Sequence, residues 1–303
     1  MAVPALTTAP LPNMTRRMNE TTPAEAVDPA APLPETAQPE AGGKKKKQDS
    51  FLVFLIKLVV IVLLFRTLLF TSFMIPSESM MPRLQVGDYL FAAKWPYGYS
   101  RASMPFDLDV VPGSGRLFGG VPERGDVVIF KHPIDRTDYV KRVIGLPGDQ
   151  IQMVAGVLHL NGQPVKKEKI GDFVTPIRPD QGCREVRFTE RLADGSFECR
   201  YPQFRETLPS GVSYRVLDFG LVTQDTTEPR VVPEGTLFMM GDNRDNSLDS
   251  RFPAVPGQGV GLVPIENVVG EASFMFFSTD GSAEWKPWTW FTAARWDRMG
   301  RGI

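Results

Sequence analysis

The chain has 303 residues, of which 42% are hydrophobic and 23% are charged. This balance supports one or two domains with an apolar core and excludes a wholly disordered chain or a disulfide-stapled mini-protein. Lys and Arg number 34 against 35 Asp and Glu, so no net basic charge indicates nucleic-acid binding. Only two His and two Cys are present, which excludes most zinc sites, and the 27 Gly and 27 Pro favour a turn-rich β protein.

The first 50 residues contain eight Pro and nine Ala without apolar periodicity, which predicts a disordered tail over residues 1–50. Four lysines, 44–47, end this tail just before an apolar run over residues 51–75, where 20 of 25 residues are Phe, Leu, Ile, Val or Met. Twenty-five helical residues reach about 37 Å, enough to cross a hydrocarbon core of about 30 Å. Residues 51–75 are therefore predicted to form a single transmembrane helix.

Lys57 and Arg66 interrupt this run at a cost of about 6 kcal/mol, but its 19 Leu, Ile, Val and Phe contribute about −8.5 kcal/mol to insertion. A buried core helix and a cleaved signal peptide are the alternatives. The second is disfavoured because no small-x-small exit follows the run, whose end and flank read Thr-Ser-Phe-Met-Ile-Pro over residues 71–76. The lysines on the N-terminal side place residues 1–50 in the cytoplasm and the rest of the chain outside.

Beyond the apolar run, short alternations of apolar residues are separated by turn signals such as Pro147-Gly148-Asp149 and Asn161-Gly162. This pattern predicts a mainly β fold, an antiparallel body formed by residues 76–160 and 236–303. Residues 161–235 are more polar and are predicted to form an inserted β-rich subdomain. It contains Cys183 and Cys199, which either close a hairpin as a disulfide or remain free thiols; the sequence leaves both open.

Two separate segments carry candidate catalytic groups. Ser79 follows the apolar run closely, between two prolines that fix the local backbone, Pro76 and Pro82. In a strand, Lys141 shares a face with Tyr139 and Val143, where desolvation would lower its pKa and make it a neutral general base. Taken alone, each feature is also typical of ordinary residues, a solvated turn serine and a lysine on a solvated face.

A third segment, residues 241–251, is rich in Asp, Asn and Ser and predicts a loop with dense local hydrogen bonding. Calcium binding is disfavoured because arginines lie within the loop and its spacing is not that of an EF-hand. A better interpretation is that the charged residues form ion pairs that brace a site. These residues are Asp242, Asp249, Arg142 and Arg251. Neither histidine lies in a context typical of a Ser-His-Asp enzyme, whereas lysine is a recognised base for serine.

Together these segments make the chain resemble the bacterial type I signal peptidases over residues 44–303. One anchor is present where some members have two, and Glu78 stands where glycine is common in others. Four motifs in this order after an anchor carry the resemblance: Pro76-Ser77-Glu78-Ser79-Met80-Met81-Pro82, Arg124-Gly125-Asp126-Val127-Val128, Tyr139-Val140-Lys141-Arg142-Val143-Ile144-Gly145-Leu146-Pro147-Gly148-Asp149 and Gly241-Asp242-Asn243-Arg244-Asp245-Asn246-Ser247-Leu248-Asp249-Ser250-Arg251.

The resemblance implies a serine endopeptidase that removes signal peptides after a small-x-small motif, with Ser79 as nucleophile and Lys141 as general base. It implies an oxyanion hole formed by the Ser79 N–H and the Ser77 hydroxyl, with Ser247 orienting the lysine amine. Supporting ion pairs are expected from Asp249, Arg251, Arg142 and Asp242. Shallow substrate pockets are expected from the apolar residues at motif-matching positions: Phe73, Ile75, Pro76, Met80, Leu84, Tyr139 and Val140.

We expect the partners to be secreted preproteins and the phospholipid bilayer, with no nucleic acid, metal or cofactor, and a monomeric enzyme. The expected location is the bacterial inner membrane, with the catalytic domain on its outer side. Two rivals are a Ser-Lys self-cleaving regulator, which normally has a DNA-binding domain and no anchor, and a single-pass anchored binding protein. Four tryptophans near the C-terminus, beside basic residues, predict contact with the lipid headgroup layer or packing of a terminal helix: Trp285, Trp288, Trp290 and Trp296.

Overall fold

The structure, a computed structural model, describes residues 50–105, 115–177 and 182–303. Apart from Ser50, the predicted disordered tail lies outside these residues. The first element is helix α1, Phe51–Leu68, whose mean hydropathy is 2.7 and in which no side chain is buried. Within the described part of the chain it is the one helix long and apolar enough to cross a membrane.

The prediction that the helix continues to residue 75 was wrong at its C-terminal end. The chain leaves the helix after Leu68 and enters strand β1, Phe70–Met74, which pairs antiparallel with β2, Asp88–Ala93. The pairing runs from Phe70 opposite Ala93 to Met74 opposite Tyr89. Apolar composition is the same for a spanning helix and a half-buried strand, so hydropathy alone did not reveal this change of structure.

The predicted mainly β, antiparallel architecture is confirmed. A seven-stranded sheet forms the main body, in the order β1-β2-β15-β3-β4-β13-β14. All of the strand pairs in it are antiparallel. Its remaining strands are β3 (Val127–Lys131), β4 (Asp138–Gly145), β13 (Thr236–Met240), β14 (Val263–Pro264) and β15 (Val268–Ser278).

Two smaller antiparallel sheets complete the fold. One has the order β12-β5-β6-β7, and the other joins β11, β10 and β8, with β9 also paired to β10. The strands of the first are β5 (Gln150–Val154), β6 (Val157–Leu160), β7 (Gln163–Pro164) and β12 (Arg230–Val231). The strands of the second are β8 (Lys166–Pro176), β9 (Thr189–Arg191), β10 (Phe197–Thr207) and β11 (Ser213–Leu217).

The second small sheet lies within the segment predicted as an inserted subdomain, and the exact boundaries of that subdomain stay a prediction. One buried apolar cluster connects all three sheets, with Ile144 from β4, Leu158 from β6 and Val216 from β11 among its members. Cys183 and Cys199 form a disulfide, which settles the alternative that the sequence left open. This bond joins β10 to the segment that precedes β9.

The C-terminal region contains the short helix α2, Pro287–Ala293. Four tryptophans lie in or near this helix, and each is more than half exposed: Trp285, Trp288, Trp290 and Trp296. Trp290 and Trp296 line a surface pocket together with Tyr89 and Phe277 of the main sheet, and contact of the tryptophans with lipid stays a prediction. The chain then returns to the main sheet, where Met275 and Ser273 hydrogen-bond with residues 300–303.

Candidate active site

Strand β4 brings Lys141 into the interior of the main body. The strand pairs with β3 along the whole segment from Asp138 to Arg142, but β13 covers its other edge only from Arg142 onward. The first residues of β4 therefore keep one unpaired edge in the described structure. Lys141 is 3% exposed, and its ammonium lies over the ring of Tyr139 at 5.6 Å, on the face that strand alternation predicted.

Ser79 lies in the turn that follows β1. Its carbonyl accepts a hydrogen bond from the Asn243 N–H at 3.0 Å, which attaches the turn to the polar loop of residues 241–251. Lys141 Nζ donates to Ser79 Oγ at 2.7 Å and to the Val140 carbonyl at 3.0 Å. The structure thus brings the predicted nucleophile and the predicted base into direct contact.

The environment of Lys141 favours the neutral amine. Burial lowers the pKa of Lys141 to about 8, against a smaller opposing effect of the Asp249 and Asp242 carboxylates. Arg251 contributes further in the lowering direction. A substantial fraction of this amine is therefore unprotonated near neutral or mildly alkaline pH, and it can accept a proton from a hydroxyl in contact with it.

Donors suited to a developing oxyanion stand beside the serine. Ser77 Oγ lies 3.3 Å from Ser79 Oγ, so the hydroxyl predicted as an oxyanion donor is within hydrogen-bond distance of the predicted nucleophile. Among the described residues, the Ser79 N–H has no hydrogen-bond acceptor. A backbone N–H without a partner, next to a nucleophile, is available to a negatively charged oxygen.

The predicted ion pairs form in two separate units. Arg142 makes a bidentate contact with Asp242, at 2.7 and 2.6 Å, and it donates to the Gly125 carbonyl. Arg251 contacts both carboxylate oxygens of Asp249, at 2.9 and 3.0 Å, and the guanidinium holds the pKa of that buried carboxyl below its ordinary value despite its burial. All of these charges are nearly inaccessible, so each pair fixes its part of the loop.

Ser247 lies in the same loop, but it makes no hydrogen bond to Lys141 in the structure. Its Oγ is buried and has no partner within the described residues. A Cβ atom at Gly241 would lie 2.3 Å from Ser247 Oγ and 2.5 Å from the Ser79 carbonyl oxygen. The absence of a side chain at Gly241 therefore allows the loop to approach the serine turn this closely.

The sequence profile described as "Signal peptidase, peptidase S26" matches residues 48–277. The chain belongs to the signal peptidase family. Signal peptidase I of Rickettsia typhi (strain ATCC VR-144 / Wilmington) is 37% identical over 230 residues, which cover 73% of this chain and 77% of that relative. The enzyme of Rickettsia prowazekii (strain Madrid E) is 36% identical over 229 residues, with the same coverage of both chains.

Among solved structures, a crystal structure of a signal peptidase I from Enterococcus faecalis V583 is 22% identical with a TM-score of 0.26, and the match covers 50% of this chain and 97% of that chain. Membership in the signal peptidase family supports the removal of signal peptides by a serine protease. It also makes the chain a membrane enzyme, and α1 is its candidate membrane helix.

An open cleft of about 900 Å³ surrounds the Ser79 hydroxyl and the Lys141 amine. Of the seven predicted pocket residues, three line this cleft: Pro76, Tyr139 and Val140. The other four belong to the adjacent apolar core, in which Val140 also participates: Phe73, Ile75, Met80 and Leu84. Their direct contact with a substrate stays a prediction, while their packing supports the wall of the cleft beneath Val140.

Two supporting contacts were missed by sequence reasoning. Arg244 of the loop donates to Glu206 of β10 at 2.6 Å, and the Tyr214 hydroxyl donates to the same carboxylate oxygen at 3.0 Å. Glu206 and Arg244 are both nearly inaccessible, so this pair attaches the loop to the second small sheet. No signal in the sequence relates the two residues, because they belong to segments that only the sheet topology brings together.

Glu78 is a further unexpected link. Its backbone carbonyl accepts from Asn243 Nδ2 at 3.1 Å, and its carboxylate accepts from Asn246 Nδ2 at 2.8 Å. The residue that departs from the common glycine thus attaches the serine turn to the loop. Its contacts require the two asparagines, which the sequence analysis had treated only as loop-forming residues.

Only one group of described residues has the composition of a metal site. Oxygen atoms of Asp218, Asp225 and Asp245 lie within 4.8 Å of one another. Lys167 forms an ion pair with Asp218 at this place, so a resident cation of the protein already offsets part of the negative charge. Asp245 belongs to the loop and lines the same cleft as Ser79 and Lys141. The expectation of an enzyme without metal stays a prediction.

Proposed function

We propose that the protein is a membrane-anchored serine endopeptidase that cleaves N-terminal signal peptides from exported preproteins after a small-x-small motif, using Ser79 and Lys141. The 2.7 Å contact between Lys141 Nζ and Ser79 Oγ carries the proposal. Both groups are buried at the base of an open cleft, where an extended peptide has access and a desolvated amine is a competent base.

In the proposed reaction, the neutral Lys141 amine removes the proton from Ser79 Oγ as this oxygen attacks the scissile carbonyl. The tetrahedral oxyanion accepts hydrogen bonds from the Ser79 N–H and the Ser77 hydroxyl. The protonated lysine then gives its proton to the leaving amine, and the acyl-enzyme remains on Ser79. That amine is the new N-terminus of the mature protein, which departs. Water, activated by the same lysine, then attacks the ester carbonyl, releases the signal peptide as a carboxylic acid and regenerates the serine.

The loop of residues 241–251 has a positioning role in this proposal. Asp242 and Asp249 are held by Arg142 and Arg251, and their carboxylates oppose part of the desolvation effect on Lys141. We assign Ser247 to the orientation of the amine, because its buried hydroxyl has no other partner in the described structure. Removal of one partner from either ion pair would leave a buried unpaired charge near the base.

The substrate is proposed to bind as an added strand. The unpaired edge of β4 at residues 138–141 lines the same cleft as Pro76, Ser77 and Ser79. Main-chain hydrogen bonds to this edge give affinity without regard to side chains, and shallow apolar surfaces near Val140 and Tyr139 admit only small ones. This combination accounts for a preference for a small-x-small motif.

We further propose that the enzyme lies in the bacterial inner membrane, with residues 1–50 in the cytoplasm and the body on the outer side. The four lysines before α1 support this orientation through the positive-inside rule. A Ser282→Cys variant should react with a membrane-impermeant maleimide in intact spheroplasts, and a Thr21→Cys variant should react only after permeabilisation. The opposite labelling pattern would reverse the proposed orientation.

The enzymatic proposal is tested by cleavage of a purified preprotein with an Ala-x-Ala exit, in detergent. Wild type should cut after the second alanine, whereas Ser79→Ala and Lys141→Ala should lose activity by at least about 10⁴-fold, because each removes a group that acts in the transition state. Lys166→Ala and Ser196→Ala are the matched controls, since both residues are exposed and lie outside the cleft.

Folding of each variant is verified by its thermal unfolding midpoint and its near-ultraviolet circular dichroism. Loss of activity in the two cleft variants alone, in folded protein, supports the Ser-Lys mechanism. Equal activity of all five proteins would make the serine turn structural and favour the anchored binding protein instead. A cut at another site would retain the dyad but overturn the proposed motif.

A further inference from the structure

A second pocket, of about 660 Å³, is lined by residues none of which lines the catalytic cleft. Arg142 and Lys141 are consecutive in β4, so their side chains leave the strand on opposite faces. The pocket is unusual in its charge, because no aspartate or glutamate among the described residues lines it. Six arginines do: Arg83, Arg142, Arg205, Arg215, Arg298 and Arg301.

Two of these arginines are buried, and each forms an ion pair with an aspartate that does not line the pocket. Arg142 pairs with Asp242, and Arg298 pairs with Asp88 at 2.6 Å. Both guanidinium groups are less than a tenth exposed, so they are held in fixed positions. Arg142 also stacks over the Tyr214 ring at 4.4 Å, which gives this part of the pocket a rigid aromatic wall.

The exposed arginines are not neutralised to the same degree. Arg205 and Arg215 are direct cross-strand partners in β10 and β11, an arrangement of like charges that destabilises a sheet. Arg205 has Glu168 opposite it on its other side, in β8. Arg215 has no acidic partner among the described residues, and Arg83 donates only to the Gly302 carbonyl, at 2.9 Å.

The charges act on one another across the pocket. Burial lowers the pKa of Arg83, the guanidinium groups of Arg142, Arg215 and Arg298 lower it further, and Asp242 opposes this shift. Arg301 adds a weak contact to Asp297, at 3.5 Å. Ile303 also lines the pocket, and a carboxylate there would offset one positive charge. The balance of the side chains remains cationic.

We propose that this pocket is a binding site for a phosphate-bearing anion. The guanidinium fork matches the oxygens of phosphate in a bidentate manner, and convergent arginines are the usual protein environment for this group. Phe173 and Tyr214 line the pocket beside the arginines, so the ligand class is a phosphate attached to an organic body. A phospholipid headgroup and a soluble organic phosphate share this chemistry. The proposal does not depend on the peptidase activity.

The test uses the full chain in discs of phosphatidylcholine, at 150 mM salt, with inorganic pyrophosphate as the soluble probe. Calorimetric titration should show saturable binding that is at least about tenfold weaker in Arg83→Gln and in Arg215→Gln, because each loses charge-assisted hydrogen bonds. Arg191→Gln is the matched control, since Arg191 is an exposed strand arginine of β9 that does not line the pocket. Arg142 is left intact because it braces the proposed active site.

A second arm replaces one third of the lipid by phosphatidylglycerol and measures the thermal unfolding midpoint of the same variants. A rise that the Arg83→Gln/Arg215→Gln double variant loses and Arg191→Gln keeps identifies lipid phosphate as the ligand. Pyrophosphate binding with the same dependence identifies a soluble phosphate. If neither probe responds to the pocket arginines more than to Arg191, in folded variants, the proposal is overturned.

Discussion

Lys141 Nζ lies 2.7 Å from Ser79 Oγ, although the two residues are 62 positions apart in the sequence. Lys141 lies in strand β4, and Ser79 lies in the turn that follows strand β1. The two strands belong to one sheet but are not neighbours in it, so the sheet topology brings the residues together. Each group alone is common in proteins. A buried amine with a serine hydroxyl as its hydrogen-bond acceptor is a chemically specific arrangement, and its behaviour with pH follows from the burial.

We predict that peptidase activity falls with decreasing pH below about 8, because burial lowers the pKa of Lys141 to that value. The neutral amine is the base, so each pH unit below the pKa removes about nine tenths of the active form. The measurement is kcat/KM for an Ala-x-Ala preprotein between pH 5 and 9. A profile that is flat in acid would exclude Lys141 as the base.

Burial of Lys141 should also cost stability. Its pKa is about 8 when folded and 10.5 in the unfolded chain, so the unfolded chain binds more protons between these values and stability rises with pH across this window. Below pH 8 the full penalty applies, roughly 3 kcal/mol. Lys141→Met should therefore gain more stability over wild type at pH 7 than at pH 10.5.

The stability change caused by Lys141→Met includes the loss of the lysine's hydrogen bonds, which is the same at both pH values. The difference between the changes at pH 7 and pH 10.5 therefore measures the cost of burying the charge. Chemical unfolding of the full chain in detergent gives the two free energies of unfolding. Lys166→Met is the control, since this lysine is exposed and should show no such dependence. An equal effect of Lys141→Met at both pH values would contradict the burial argument.

The sequence was sufficient to predict the mainly β fold, because turn signals and short alternations recur throughout the body. It also predicted the partners Ser79 and Lys141, through a resemblance that preserves the order of four motifs. The end of α1 was not predictable in the same way. The composition of residues 69–74 suits both a continued transmembrane helix and a β-strand. Only the pairing with β2 decides between these two structures.

Contacts between segments that only the sheet topology brings together were also not predictable from the sequence. Glu206 has no local feature that distinguishes it from a surface glutamate, yet it is fully buried against Arg244. Likewise, the burial of Met80 and Leu84 in the apolar core was not predictable, and their expected contact with a substrate stays a prediction. Alternation specifies the face of a residue only inside a strand, and these residues follow β1 in a turn.

Gly241→Ala should disable the active site without changing any catalytic group. The new methyl group would collide with Ser247 Oγ and with the Ser79 carbonyl, and the neighbouring backbone leaves no space for it. A displacement of the serine by about 1 Å is enough for a loss of about 100-fold in kcat. Gly171→Ala is the control, because its Cβ would meet no atom within 4 Å. Wild-type kcat in Gly241→Ala would contradict the predicted collision.

Lys94→Met should loosen the junction between α1 and the body. Lys94 is 2% exposed, and its Nζ donates to the Arg66 carbonyl at 2.8 Å and to the Ser103 carbonyl. It therefore caps carbonyls that the end of the helix leaves unpaired. Burial lowers the pKa of Lys94 to about 8, so at pH 10.5 the folded protein holds a neutral amine without a desolvated charge, and there the substitution should lower the free energy of unfolding by about 2 kcal/mol. Tyr99→Phe, which removes one hydrogen bond to the Leu68 carbonyl, should lose about half as much.

Two substrates distinguish a loss of orientation at the junction between α1 and the body from a general loss of stability. Cleavage of a membrane-embedded preprotein should fall more in Lys94→Met than cleavage of a short soluble peptide, because only the former needs the body held at a fixed orientation to the helix. Equal losses for both substrates would indicate a purely structural role of Lys94. An unfolding free energy equal to that of wild type would contradict the capping argument itself.

The exposed tryptophans near α2 should contact lipid. Trp285 is 84% exposed and Trp288 is 66% exposed, and amphipathic rings beside basic side chains are favoured in the headgroup layer. In a Trp95→Phe variant of the full chain, reconstituted in discs, brominated lipids should quench the remaining four tryptophans by at least about a third relative to unbrominated lipids. The converse variant, with these four replaced by phenylalanine, gives the contribution of Trp95 alone. Unchanged fluorescence in Trp95→Phe would place the C-terminal region away from the bilayer, because quenching requires direct contact between the bromine atoms and the rings.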